Sequence, residues 1–105
     1  MIGALRTQIE LLGAAATPDD GGGARLAWAP VASLWAGVAR LPSTPDFTGD
    51  RRRRLKRIKA LIRARQDITL GGRIRHEGDD YEIVSIEEDD ARGRRIILAC
   101  EEVAP

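Results

Sequence analysis

Residues 72–84 read GRIRHEGDDYEIV, and this stretch predicts a β-hairpin. Ile74, Tyr81 and Ile83 alternate with polar residues, which is the period-2 pattern of strands that bury one face. Residues 77–80 lie between the two runs and supply the glycine and aspartates that chain reversals favour. The stretch therefore indicates two antiparallel strands joined by a tight turn.

The C-terminal third extends this hairpin by a further strand. Residues 89–93 read DDARG, a second turn signal, and residues 94–101 return as an apolar run. Together these segments predict a three-stranded meander. Several short strands at this spacing favour a mainly β fold, namely a small antiparallel β-barrel or sandwich. A chain of 105 residues fits one domain, which we place at residues 1–105.

The N-terminal segment, residues 2–12, allows two interpretations. A strand is favoured by the alternation of Leu5, Thr7, Ile9 and Leu11. A helix is favoured because one helical face would hold Ile2, Leu5, Ile9 and Leu12. Residues 17–23 read TPDDGGG and supply a turn with freedom for positive φ, so residues 24–29 are predicted to return as the second strand of a hairpin.

The middle of the chain contains the prolines. Pro30 is predicted to end the strand before it, and residues 33–41 to form the next strand. In that strand Trp35 lies on the face opposite to Leu34, Ala36 and Val38. Residues 42–50 carry two prolines three residues apart, which remove backbone donors, so we predict a long inserted loop over about residues 42–57.

The segment 52–62 again fits both a helix and a strand. A helical face is formed by Leu55, Ile58, Leu61 and Ile62. A strand pattern is formed by Ile58, Ala60, Ile62 and Ala64, with basic residues between them. The residues alone leave this choice open.

The charges are strongly segregated along the chain although the net charge is only +1. Residues 1–50 carry a net charge of −2, residues 51–75 carry +10 and residues 76–105 carry −7. A chain of this kind can bind an anion with its middle segment or bind its own copies head to tail.

Catalysis, cofactors and metals are not indicated. His76, the sole histidine, is expected to lie exposed beside Glu77 and away from any catalytic arrangement. The sole cysteine, Cys100, is predicted to be a buried strand residue. The glycines at 21–23 lack the Lys and Ser or Thr of a phosphate loop, and the acids at 87–90 lack the spacing of a calcium loop. We therefore expect no enzyme activity, no cofactor and no metal.

The basic run is the segment whose charges most need a partner. Seven charges fall within nine residues: Arg51, Arg52, Arg53, Arg54, Lys56, Arg57 and Lys59. Such density is natural beside phosphates, and no aromatic residue lies among these charges to stack a base, so any nucleic-acid contact would be independent of sequence. Contact with the acidic third of a neighbouring subunit is the equally weighted alternative.

A series of landmarks in a fixed order resembles the head-tail adaptor and head-closure (stopper) proteins of long-tailed bacteriophages, prophages and gene transfer agents. The landmarks are LRTQI at 5–9, DDGGG at 19–23, Trp28, WAGV at 35–38, IRAR at 62–65, DIT at 67–69, GRI at 72–74, Gly78, YEI at 81–83 and LACEE at 98–102. The resemblance covers nearly the whole chain and favours strands at both ambiguous segments.

The resemblance implies a structural protein of the virion neck, made in the bacterial cytoplasm and not associated with a membrane. It implies a homo-oligomeric ring, sixfold by preference and twelvefold as the alternative, between the portal-bound adaptor and the tail terminator. This ring closes the exit channel of the packaged DNA and joins head to tail. Whether the chain acts as adaptor or stopper, and in a phage or a gene transfer agent, stays open.

Two sets of site residues follow from these expectations. Contact with the DNA channel or its gate is predicted for Arg51, Arg52, Arg53, Arg54, Lys56 and Arg57. The candidates for subunit interfaces are Trp28, Trp35, Glu87, Glu88, Asp89 and Asp90. The alternative function is a small SH3-like barrel that binds RNA or DNA without sequence specificity, because the strands at 72–84 suit that fold equally well.

Overall fold

A computed structural model describes residues 5–18, 21–48, 51–89 and 92–103, with the side chains of this part except at residues 17, 24–25, 43–48 and 51–55. All its regular structure is strand. The strands are β1 (Thr7–Pro18), β2 (Ala24–Thr48), β3 (Arg51–Arg63), β4 (Arg73–His76), β5 (Asp79–Glu88) and β6 (Arg95–Glu102). They form a closed antiparallel barrel in the order β1-β2-β3-β6-β5-β4. The predicted β-barrel is confirmed, and both ambiguous segments are strands, the first from Thr7 onward and the second throughout.

The barrel interior is filled by aliphatic side chains at alternate positions of the strands. Its largest fully buried members are Ile9, Ile58, Ile62, Ile74, Ile83, Leu98 and Cys100, whereas Leu61 is buried on the other face of β3 and outside this cluster. In β4 and β5 the inward positions are Ile74, Tyr81 and Ile83, as the sequence pattern predicts. Leu34 and Ala36 are likewise buried in β2, whereas Trp35 between them is exposed, so the predicted two faces of this strand are confirmed.

The turn between β4 and β5 is tighter than the predicted one. His76 pairs with Asp79, so Glu77 and Gly78 alone form the loop. Both have positive φ, at 52° and 84°, which is what a two-residue hairpin of type I′ requires. The expectation of an exposed His76 is wrong. Because the residue ends β4 on the inward side, two positions after Ile74, its side chain is only 8% exposed.

The long strand β2 corrects two predictions about proline. Pro30 does not end a strand, because β2 continues through it and absorbs it at a bulge: Leu12 pairs with Pro30 and Leu11 with Ala32, and Val31 is left between them. The predicted inserted loop at about 42–57 is also wrong, because β2 extends to Thr48 and β3 begins at Arg51.

The hydrogen-bonding pattern explains why these prolines are tolerated. Pro42 falls at a second register shift of β2, between Leu41 and Thr44. Pro45 pairs with Arg54 in a part of β2 that has β3 on one side and no strand pairing on the other in the described register. A missing N–H costs little on such an edge. A straight strand of 25 residues would span about 80 Å, yet the longest dimension of the molecule is 48 Å, so β2 bends.

Two hairpins run on beyond the closed part of the barrel. The first consists of residues 13–18 of β1 with residues 24–30 of β2, and the second of residues 44–48 of β2 with residues 51–55 of β3. We call them the first ribbon and the arginine ribbon. They lie at opposite ends of β2 because the chain runs through that strand from one hairpin turn to the other.

The loop between β3 and β4 is fixed to the side of β5. Gly71 donates a backbone hydrogen bond to the Ile83 carbonyl (2.9 Å), and the Ile83 N–H donates to the Gly72 carbonyl (2.8 Å). The neighbouring Leu70 is thereby held at the outer edge of the barrel, where it is 65% exposed.

The bulge at Val31 creates a close approach at Gly13 that can be tested. A β-carbon on Gly13 would lie 2.8 Å from Val31 Cγ1, closer than two carbons can pack. We expect Gly13→Ala to lower the free energy of unfolding by about 1–2 kcal/mol. Val31→Ala alone should change it by less than about 0.5 kcal/mol because the side chain is exposed. In a urea-denaturation cycle the double variant should regain most of the loss, and purely additive effects would contradict this explanation.

Candidate subunit and DNA interface

The arginine ribbon carries the densest positive charge of the chain. Its register pairs Arg51 with Thr48, Arg52 with Phe47, Arg53 with Asp46 and Arg54 with Pro45. The four arginines are therefore consecutive residues at the start of β3, beyond the part of that strand that pairs with β6 from Arg57 onward. The predicted contacts of these arginines depend on side chains outside the described set. Their backbone, however, is placed on a projecting hairpin and not in a loop.

Lys56 and Arg57, the other two predicted channel residues, are engaged inside the subunit. Lys56 Nζ lies 2.9 Å from Asp79 Oδ2, and its backbone N–H donates to Glu102 Oε1 at 3.4 Å. The hydrogen bond that Lys56 Nζ donates to Asp79 raises the pKa of Lys56. Arg57 Nε lies 3.9 Å from Glu101 Oε1, directly across the β3–β6 pairing. The base of the arginine ribbon is thus partly neutralised by the acidic C-terminal third.

Further ion pairs lie around the barrel, and one of them, between Arg75 and Asp80, joins the basic and acidic segments. Arg75 Nε donates to Asp80 Oδ1 at 2.7 Å, and Arg40 lies 3.3 Å from Glu77. Arg65 forms two hydrogen bonds of 2.8 Å to Asp67, which lower the pKa of that carboxyl. These pairs are exposed or half-exposed, so each contributes little to stability. Because these side chains pair within the subunit, fewer of its charges remain to bind a partner molecule.

The two tryptophans differ in environment. Trp28 is half-buried, and the Arg73 guanidinium lies over its ring, 4.4 Å from the centroid. Trp35 is 58% exposed on the outer face of β2. Beside it is a groove of about 390 Å³, lined by Leu5, Ser33, Leu34, Trp35, Ile62, Arg63 and Arg65. Of the two tryptophans predicted to lie at interfaces, Trp35 is therefore the more exposed.

The acidic interface candidates lie at the end of β5. Glu87, Glu88 and Asp89 are exposed, whereas Asp90 lies outside the described residues. The Asp89 N–H donates to the Arg95 carbonyl at 3.0 Å, so the acidic turn borders the start of β6. A cavity of about 470 Å³ at this place is lined by Arg63, Asp89, Arg94 and Arg95. Acidic and basic side chains thus alternate around this end of the barrel.

The described residues give little support for catalysis or metal binding. Cys100 is buried in β6 as predicted, and desolvation raises the pKa of its thiol to about 12, so it is neither a nucleophile nor a ligand at neutral pH. In the described ranges no three His, Cys, Asp or Glu residues gather as a metal site would require. Within the same ranges no helix is long and apolar enough to cross a bilayer.

Sequence reasoning missed two exposed apolar side chains near β5. Val84 is 42% exposed and falls at a register shift between Ile83 and Ser85. Leu70 is the exposed loop residue held beside this strand. The signal was present for Leu70, an isolated leucine between turn residues. Val84 follows the inward Ile83, so the period-2 pattern already turns it outward. What the sequence pattern does not show is the register shift after Ile83, which returns Ile86 to the core side.

Comparison with known proteins gives a family and a fold. The family model described as phage head completion protein matches residues 1–103. A chain from the virion of a native gene transfer agent (GTA) particle has a TM-score of 0.79 and 20% identity, with 98% of this chain and 99% of that chain covered. The solution structure of protein SF1141 from Shigella flexneri 2a has a TM-score of 0.71 and 24% identity, with 98% and 96% covered. At these identities the two structures share the fold. No curated protein matches the chain in sequence.

The different environments of the tryptophans predict different quenching. With Trp28→Phe only Trp35 emits, and its fluorescence should be quenched by acrylamide more strongly than that of Trp28 in the Trp35→Phe variant, because Trp35 is the more exposed ring. Arg73→Ala should increase quenching of Trp28 and lower the free energy of unfolding by about 0.5–1 kcal/mol, through loss of the cation–π contact. Arg92→Ala, an exposed turn position, is the control. Equal quenching of both rings would contradict this assignment.

Proposed function

The chain belongs to the phage head completion protein family, and on that premise we propose that it assembles as a ring in the neck of a virion. The ring lies between the portal-bound adaptor and the tail terminator, closes the exit channel of the packaged DNA and joins head to tail. Sixfold symmetry is preferred, and twelvefold is the alternative. The work is mechanical and electrostatic, and it needs no catalytic group, cofactor or metal.

The arginine ribbon is the observation that supports this proposal. It extends β2 and β3 beyond the closed barrel, and its tip carries Arg51, Arg52, Arg53 and Arg54 in succession. In a ring whose ribbons point toward the axis, these arginines surround the DNA path. Positive charge at that place binds phosphates of any sequence, which suits a channel that must hold whatever DNA has been packaged.

The internal ion pairs support different roles for two parts of β3. Lys56 and Arg57 are held by Asp79, Glu101 and Glu102 at the barrel wall. We propose that these two residues brace the base of the ribbon and that the DNA contact falls to the four arginines beyond them. The number of residues that we propose to contact the DNA channel thus falls from the six predicted from the sequence to four.

The alternative function, a free small barrel that binds RNA or DNA, makes a different prediction about the isolated chain. A monomer of that kind would bind free nucleic acid with an affinity that falls steeply as salt is raised. A neck protein is expected to act only when many copies bring their ribbons together around one channel.

Deletion of the gene tests the neck assignment. Electron microscopy of particles from the native host should show DNA-filled or leaking heads separate from finished tails, because the piece that joins them is missing. Complementation with the wild-type gene should restore joined particles. Heads and tails that still join in the deletion strain would make nucleic-acid binding by a free barrel the leading account.

Charge reversal tests the arginine ribbon. We expect Arg52→Glu and Arg53→Glu each to weaken DNA retention in particles about tenfold, as the loss of a contact of about 1.4 kcal/mol would do. The double variant should retain DNA still more weakly, and its retention should depend less steeply on salt concentration because fewer phosphates are neutralised. Arg92→Glu, one reversal in the β5–β6 turn, is the matched control. DNA retention is measured by nuclease accessibility at increasing salt. Unchanged retention and ring assembly in the double variant would contradict the role of the ribbon.

A further inference from the structure

Two opposite outer walls of the barrel form a complementary pair of surfaces. We propose that the wall of β2 and β3 around Trp35 in one copy binds the wall of β5 around Leu70 and Val84 in the next copy. This inference rests on the ring of the proposed function and specifies the contact that would build it. We call the two surfaces the tryptophan wall and the acidic wall.

The strand order places these walls on opposite sides of the molecule. In the closed order β1-β2-β3-β6-β5-β4, two strands separate β2 from β5 in either direction. The outer faces of these strands therefore point away from each other. A surface on one side that binds a different surface on the other side gives a heterologous contact, which repeats from copy to copy. A ring of six copies needs about 120° between the two faces and a ring of twelve about 150°. The tryptophan wall includes β3, which is only two strand positions from β5, so the two walls can meet at such angles.

Each wall has an apolar centre that a monomer leaves in water. Trp35 is 58% exposed on the tryptophan wall. Leu70 and Val84, at 65% and 42%, lie on the acidic wall, brought to the same strand by the backbone bonds that join residues 71 and 72 to Ile83. A large aromatic ring on one side and two aliphatic side chains on the other are suited to the fully desolvated centre of an interface.

The charges around the two apolar centres have opposite signs. The tryptophan wall carries exposed Lys59 and Arg63, and Arg63 lies directly across from Arg95 in the β3–β6 register. The acidic wall carries the exposed Glu82 and Glu87, and Arg73 lies directly across from Glu82. Glu88 pairs with the inward Ile96 and therefore belongs to the other face of β5. Asp89 of the same subunit lines the cavity beside Arg63 and Arg95 and offsets part of their repulsion. Complementary signs also fix the direction of docking, because each wall repels its own kind.

Cross-linking between copies tests this contact in assembled particles. The variant Trp35→Cys/Val84→Cys is expressed in place of the wild-type chain, and purified particles are treated with a short bis-maleimide. We expect a ladder of covalent multimers up to the ring, because every copy reacts with the next. Trp35→Cys alone and Val84→Cys alone should stay monomeric. The native Cys100 stays silent because it is 1% exposed. Leu26→Cys/Val84→Cys, with Leu26 68% exposed on the first ribbon, is the matched control.

Each other outcome overturns a defined part of the proposal. Dimers from Trp35→Cys alone indicate a twofold contact of the tryptophan wall with itself. If the Leu26→Cys/Val84→Cys control gives a ladder as strong as that of the test pair, cross-linking is not specific to the tryptophan wall and the proposed contact is contradicted. If Trp35→Cys prevents assembly, Ser33→Cys/Glu87→Cys probes the same two walls without removing the aromatic ring of Trp35, because Ser33 is exposed beside Trp35 on β2, and a missing ladder there overturns the inference. Joined particles that contain the chain but give no ladder refute this contact and leave the neck function intact, whereas particles that join without the chain refute the function itself.

Discussion

The pairing of β1 with β4 is the constraint on which the other features depend. Three residue pairs, Glu10 with Arg75, Leu11 with Ile74 and Leu12 with Arg73, close the sheet into a barrel. Closure gives β4 a second hydrogen-bonded neighbour, removes two sheet edges and brings Ile74 into the same core as the buried residues of β2 and β3. It also fixes β2 opposite β5, and this is the geometry that lets two different walls of one subunit meet two neighbours.

The closed barrel and the two ribbons differ in what stabilises them. The body is stable because its strands share an aliphatic core made of isoleucine, leucine and alanine, with little aromatic content. The ribbons continue the same strands past the point where any second sheet neighbour is paired with them. A two-stranded ribbon gains little from its own hydrogen bonds in water. Such elements are suited to gain their order from a partner, which is why we assign the contact with the channel to one of them.

The charge segregation has two consequences at different places. Where the basic and acidic segments come together in the fold, Lys56, Arg57 and Arg75 pair with carboxylates of the same subunit. On the outer faces of β3 and β5, which β6 separates, exposed Lys59, Arg63 and Glu87 are the charges that the proposed contact between copies uses. The segregation of charge along the sequence therefore has two roles: some charges form ion pairs within the subunit, and others lie on outer faces where they can orient a neighbouring copy. Which role a charged residue has depends on the strand register and not on the composition.

The sequence by itself determined the mainly β fold, the three-stranded C-terminal meander, the buried Cys100 and the outward Trp35, because alternation with period 2 and turn residues are local signals. It misjudged Pro30, residues 42–57 and His76, since whether a proline ends a strand depends on what lies at its free edge, and a histidine's burial depends on its register. The resemblance, and not the residues alone, favoured strands at the two ambiguous segments. Only the tertiary structure decided which strand closes the barrel, which arginines find carboxylates in the same chain, and that β2 faces away from β5. These features depend on pairing between residues that are far apart in the sequence, and a local sequence pattern carries no information about such pairing.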